Sequence, residues 1–166
     1  PVFSADSEAR GIMNYDQRVV QGINTIAGRD LYINGNLDRQ ALANLIFNDD
    51  SLLEKVNSLV HPVVFDHFMR WNREQTAPYV ILEAAILFES GASSLVDRIA
   101  TVVAPVEERL DRVISRRGLS REQVAERMRN QMDDVARERL SDYVIYNSNT
   151  DMIIPAVLKV HEDILK

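Results

Sequence analysis

The chain contains no cysteine, so it has neither disulfides nor a thiolate to act as nucleophile or metal ligand. Long apolar runs are also missing: none approaches the roughly 20 residues that a membrane-spanning helix needs. Its six glycines are scattered and nowhere form Gly-x-x-x-x-Gly-Lys-[Ser/Thr], so these residues encode no backbone cradle for phosphates. Histidine is scarce, and His61, His67 and His161 have no metal-ligand spacing among them. The formal net charge of −6 speaks against a general nucleic-acid binder. The expectation is a soluble, cytoplasmic protein with no nucleic-acid or membrane partner.

What is present is a core and a polarised distribution of arginine. The 166 residues, 46% of them hydrophobic, suffice for one domain with a buried interior. From Tyr79 to Gly91 the chain reads YVILEAAILFESG, an apolar run ending in a small-residue turn that carries Glu83 and Glu89. Strands covered on both faces lose their in/out alternation, and open α/β sheets bind ligands beyond the carboxyl ends of such strands. Sixteen of the nineteen basic residues are arginine, and nine of these lie between Arg109 and Arg139 among six acids. Guanidinium forks on an acidic protein suit a small polyanion such as a nucleotide. Composition alone favours the plainer reading, a solvated helix laced with ion pairs.

The pattern along the chain alternates strands and helices. Pro1 to Ala5 reads as a short strand running into a helix that opens near Asp6, where an acid suits the positive helix end. A second helix covers Tyr15 to Ala27 and stops at Gly28. Asn34-Gly35-Asn36 is a turn signal, and Asp38 caps a helix bearing Leu42, Leu45 and Ile46. Leu52, Val56, Leu59 and Val60 mark the next helix, and His61-Pro62 is expected to begin another, reaching about Glu74. After the strand Tyr79 to Ala84, Arg98 to Ala104 reads as its parallel neighbour. Val106, Leu110, Val113 and Ile114 form one helical stripe that Gly118 breaks, and Ser120 to Gln123 has capping-box form. Tyr143 to Asn147 is a last strand. Thr150 opens a helix expected to face Ile154, Val157, Leu158, His161 and Leu165 inward, with Pro155 near its start. Strands separated by helices imply an α/β fold with a parallel sheet.

Asp6 with Arg10, Leu37-Asp38-Arg39 followed by Ile46-Phe47, His61-Pro62, Ile86-Leu87-Phe88-Glu89, Arg112 and Arg116, Gly118-Leu119-Ser120, Gln131, and Asp142 with Asn147 recur in one order. In that order and spacing the chain, from Val2 onward, resembles the dephospho-coenzyme A kinases. The resemblance implies a three-layer P-loop NTPase-type parallel sheet with a helical substrate-binding insertion and a helical lid. It implies a single kinase domain over 1–166, with an acceptor-binding subdomain at 6–75, a nucleotide-binding core at 79–105 and 143–166, and a lid at 106–140. In the family a strand, a P-loop and a helix precede the segment that begins here. The native gene product is therefore expected to be longer by that unit, and these 166 residues alone to be inactive. The implied reaction transfers the γ-phosphate of ATP to the ribose 3′-hydroxyl of dephospho-coenzyme A.

By the same resemblance Asp6 is the general base and Arg116 the catalytic arginine. Arg10, His61, Glu89 and Gln131 contact the acceptor, and Arg112 and Asn147 the nucleotide. Magnesium is expected to bind mainly through ATP phosphates, with few protein ligands; Glu83 is expected nearer to it than Glu89, and equally reads as a strand-end ion-pair residue. Each residue also has a plain structural reading: Asp6 as a helix-start acid, Arg10 as an i,i+4 ion-pair partner, Gln131 as a link between helices, Asn147 as a turn residue. His67 and His161 read as ordinary helix residues, and Arg121 and Arg129 as solvated. Arg127 is a further candidate for phosphate or acceptor. A monomer or weak homo-oligomer is expected. Two other classes remain: a nucleoside monophosphate kinase, which would not be expected to carry the Leu37 to Pro62 helical insertion, and a non-catalytic coenzyme A-binding module if the chain truly starts at Pro1.

Overall fold

A computed structural model describes residues 1–47, 49–117, 120, 121, 124, 128 and 131–166. The chain divides into two compact units, Pro1–Ala85 and Ile86–Lys166. In the first, β1 (Val2–Ser4) pairs in parallel with β4 (Ile81–Glu83), with Phe3 opposite Leu82 and Ser4 opposite Glu83. Between these strands the chain makes α1 (Ala5–Tyr15), α2 (Gln17–Ala27), the hairpin β2 (Tyr32–Ile33) and β3 (Asn36–Leu37), α3 (Arg39–Ile46) and α4 (Asp50–Arg73). The helices are thus an insertion between two neighbouring strands, as the pattern predicts.

The local causes are legible. Asp16 separates α1 from α2 and caps the latter, accepting from the amides of Arg18 (2.9 Å) and Val19 (3.4 Å), while Gly28 ends it in the left-handed conformation at φ 65°. Asn34 (φ 51°) and Gly35 (φ 77°) supply the two positive φ values of a type I′ hairpin turn. The Leu37-Asp38-Arg39 motif is architectural: Leu37 is buried, Asp38 caps α3 through the Ala41 amide (2.9 Å), and Arg39 Nη2 donates to the Arg10 carbonyl on α1 (2.8 Å).

One expectation fails here. His61-Pro62 does not open a helix; Pro62 lies inside the continuous 24-residue α4. A proline there leaves the Ser58 carbonyl without its helical donor and crowds it, at a cost of about 3 kcal/mol. Val56, Val60, Val63, Val64 and Phe68 form one buried face on both sides of it. Burying five such side chains, at roughly 1.5–3 kcal/mol each, outweighs that cost. The core of this unit also holds Ile12, Val19 and Ile23, all fully buried, and Phe3 set edge-on to Phe68 at 5.4 Å.

In the second unit a turn leads from Ile86 to a short 3₁₀ segment, Ala92–Leu95, then to β5 (Ala100–Val103) and α5 (Val106–Arg117). After the helix Asp134–Leu140, β6 (Tyr143–Tyr146) pairs with β5 in parallel, and the helix Ile153–Ile164 follows. The strand expected beside Tyr79–Ala84 therefore takes β6 as its hydrogen-bonded partner, while β4 takes β1. Leu110 and Ile145 are buried as the helix and strand patterns require, and Val124 is buried as well. Gly118 and Gln123, the expected break and capping-box glutamine, lie outside the described residues. The expected inward face of the helix Ile153–Ile164 is not buried: Ile154 is 70% exposed, Leu158 53% and Val157 46%. The half-buried positions are instead Ile153, Ala156, Val160 and Asp163, so the helix turns a different face inward from the one its apolar spacing suggests. Pro155 sits in that helix's first turn, where its missing amide costs nothing.

Candidate active site

In the first unit the parallel strands end together at Ser4 and Glu83, and the Ser4 hydroxyl donates to Glu83 Oε2 at 2.7 Å. Ser4 occupies the N-cap position of α1 but makes no side-chain cap bond; its hydroxyl donates to Glu83. The first turn instead carries the carboxylates of Asp6 and Glu8, which suit the positive helix end. Asp6 is exposed and stands two residues beyond the end of β1, and Arg10 follows one turn later, also exposed. Glu83 thus ends β4 and Asp6 follows the end of β1 by two residues, at the carboxyl edge of this strand pair, where α/β proteins bind ligands, with Arg10 one helical turn further on.

His61 lies mid-helix on α4, half-buried, with its ring stacked on Phe65 at 6.1 Å. Burial pushes its pKa below the ordinary 6.5, so at neutral pH it is an uncharged imidazole. Further along α4, His67 has defined partners. Its Nδ1 is 2.9 Å from Glu8 Oε1, which also accepts from the Tyr15 hydroxyl at 2.7 Å. Burial first, then the bond to Glu8, push the Tyr15 phenol up to about 12. This cluster ties α1 to α4 and was invisible in the sequence, because its members are 7 and 52 residues apart.

The second unit brings two pairs of predicted residues together. Glu89 Oε1 accepts from the Met132 amide at 2.5 Å, so the Glu89 carboxylate lies beside Gln131. Arg112, on α5, donates from Nη1 to the Asn147 carbonyl at 2.8 Å, just beyond the end of β6. Its Nη2 bonds Glu108 Oε2 (3.0 Å) and Asn149 Oδ1 (2.9 Å). Arg116, one turn beyond Arg112, is exposed and pairs with no carboxylate among the described residues. Arg121, read as solvated, is exposed, and its Nη2 donates to both oxygens of Glu107 at 2.7 Å. Arg109 and Arg137 both converge on Asp134, the former at 2.5 Å. Arg127 and Arg129 lie outside the described residues. Among the described residues, no three His, Asp or Glu side chains gather as a metal site, and no helix is long and apolar enough to cross a membrane.

Residues 1–152 match the family described as CoaE, dephospho-CoA kinase. A dephospho-CoA kinase of Porphyromonas gingivalis is 34% identical over 165 residues, covering 99% of this chain and 82% of that protein. The crystal structure of TT1252 from Thermus thermophilus superposes with a TM-score of 0.86 at 32% identity, over 100% of this chain and 85% of that one. The dephospho-CoA kinase from Campylobacter jejuni shares the fold, with a TM-score of 0.65 at 23% identity, over 98% of this chain and 84% of that one. With the family matched across most of its length, the chain belongs to the dephospho-CoA kinases.

Proposed function

We propose that this protein transfers the γ-phosphate of ATP to the ribose 3′-hydroxyl of dephospho-coenzyme A, with Asp6 as the base. The observation that carries the assignment of the base is the position of Asp6, at the start of α1 and at the carboxyl edge of the β1–β4 pair. The acceptor oxygen attacks the γ-phosphorus, the bond from that phosphorus to the β–γ bridging oxygen breaks, and the hydroxyl proton passes to Asp6. Phosphoryl transfer is loose, so orienting the hydroxyl matters more than deprotonating it strongly, and a carboxylate is sufficient. Arg116, exposed and without a carboxylate partner among the described residues, supplies positive charge to the transferring phosphoryl group.

On the acceptor side are Arg10, His61, Glu89 and Gln131. His61, kept neutral by burial, recognises the acceptor through hydrogen bonding rather than through charge on a phosphate. On the nucleotide side are Arg112 and Asn147. Residues 6–75 serve as the acceptor subdomain, 79–105 with 143–166 as the nucleotide core, and 106–140 as the lid. The oxygen donors at the β1–β4 edge fit magnesium, which takes one or two carboxylates and otherwise phosphate and water oxygens. Glu83 is the group that would hold it, and when bound the ion would neutralise charge on the phosphates. The protein works in the cytoplasm as a monomer or weak homo-oligomer.

The test is acceptor choice. With ATP as donor, kcat/KM for dephospho-coenzyme A is expected to exceed that for AMP, CMP or UMP by orders of magnitude. Preference for a nucleoside monophosphate would overturn the assignment in favour of the other kinase class.

A further inference from the structure

Glu108 has no part in the reaction as described, yet it is more than half of a surface ion pair. Its Oε2 accepts from Arg112 Nη2 at 3.0 Å, the i,i+4 pairing expected on any helix, and also from the backbone amide of Asn149 at 2.8 Å. Arg112 in turn donates to the Asn147 carbonyl and the Asn149 side chain. One acid–base pair on α5 thus holds two backbone groups and one side chain of the loop immediately after β6. The near end of that loop is fixed by the Asn147 amide, which donates to the Val103 carbonyl at 2.7 Å. Its middle is tied to the chain beyond it by the Ser148 amide, which donates to Asp151 Oδ2 at 2.7 Å.

We propose that Glu108 is a positioning residue for the nucleotide: through the Asn149 amide and through Arg112 it sets the shape of the Asn147–Asn149 loop. The proposal rests on the reading of Asn147 as a nucleotide-side residue. It gives Arg112 a different task from that of Arg116. Both terminal nitrogens of Arg112 are engaged with the loop and its charge is matched by Glu108, whereas Arg116 has no carboxylate partner among the described residues. Arg112 therefore acts on ATP through the loop, and Arg116 acts on the phosphates directly. Of the two bonds that Glu108 accepts, both fall on the same oxygen. A glutamine retains one amide oxygen but has no charge to hold the guanidinium in place.

The experiment is steady-state kinetics of the intact protein with ATP and dephospho-coenzyme A varied in turn, for Glu108→Ala, Glu108→Gln and Asn147→Ala. Glu108→Ala is expected to raise the ATP KM about tenfold, the factor equivalent to roughly 1.4 kcal/mol, and to change the acceptor KM by less than twofold. Glu108→Gln is expected to fall between it and wild type, and it carries the test should the alanine variant fail to fold. An equal rise in both KM values means a merely structural role and overturns the proposal. A fall in the ATP KM also overturns it, because Arg112 would then be a phosphate ligand that Glu108 restrains. Asn147→Ala separates the premise from the inference. If it leaves the ATP KM unchanged, the nucleotide-side reading itself fails. If it raises the ATP KM while both Glu108 variants do not, only the positioning role fails.

Discussion

Replacing Asp6 with asparagine separates chemistry from folding. The substitution keeps the size of the side chain and removes one charge from the first turn of α1. A carboxylate at that position is worth about 0.3–1 kcal/mol to the helix through its dipole. For a domain of this length a loss of that size lowers Tm by only about 1–4 °C. Because Asp6 is exposed, the variant leaves no buried hole either. Loss of the base should cost about 10²–10⁴ in kcat, or roughly 3–5 kcal/mol in the barrier. Thermal denaturation and a coupled ADP-release assay on the same preparation measure both quantities. The expected result is a native-like melting curve, an ATP KM close to that of wild type and a kcat lowered at least a hundredfold. A kcat within threefold of wild type would remove Asp6 from the reaction, and a collapsed melting curve would show that its role is structural.

Four further substitutions probe other parts of the account. Arg116→Ala should lower kcat by about two orders of magnitude through lost charge stabilisation; a defect confined to KM would contradict its catalytic role. His61→Ala should raise the KM for dephospho-coenzyme A more than that for ATP, and the reverse pattern would place His61 on the nucleotide side. Gly22 packs so closely on α4 that an added Cβ would stand 2.4 Å from Leu59 Cδ2. Gly22→Val must displace the Leu59 side chain and should destabilise by about 1–3 kcal/mol in denaturant unfolding; unchanged stability would show that Leu59 swings aside without cost. Asp16→Ala should cost about 1 kcal/mol, the usual worth of an N-cap. The Asp16 carboxyl is lowered from its ordinary 3.8 to about 2, first by the Arg18 side chain and then by the capped amides. Its contribution is accordingly complete above pH 3.8 and lost as pH falls through about 2. The stability difference between wild type and Asp16→Ala should vanish across that window, and a difference that persists at pH 1.5 would contradict the linkage.

Sequence reading succeeded where a local cause is sufficient. Asn34-Gly35 dictates a turn because few other pairs adopt two positive φ values, and Asp38 and Gly28 act on the adjacent turn of their own helices. It failed where tertiary burial decides. Pro62 reads as a helix start by local rules, but the valines and Phe68 on either side bury together only if α4 runs through it. The stripe Ile154, Val157, Leu158 shows the converse, since amphipathic spacing identifies a face without stating what covers it.

The site was legible to the same degree. Asp6 and Arg10 lie on one helix and Arg112 and Arg116 on another, so their grouping follows from the 3.6-residue period. That Glu83 meets Ser4 and Glu89 meets Met132 depends on strand pairing and chain reversal across 79 and 43 residues, which no local pattern encodes. Glu108 had a visible signal, its i,i+4 spacing to Arg112. That signal is shared by every solvated ion pair on a helix, and only the Asn149 amide distinguishes it.

The most direct measurement of the central claim is phosphorus NMR of the reaction product after the intact protein is incubated with ATP, magnesium and dephospho-coenzyme A. The account predicts a new monoester resonance that matches authentic coenzyme A, with the phosphate on the ribose 3′-oxygen and one ADP formed per product. ATP turnover that yields no monoester on that ribose, or that places it on another hydroxyl, would contradict it.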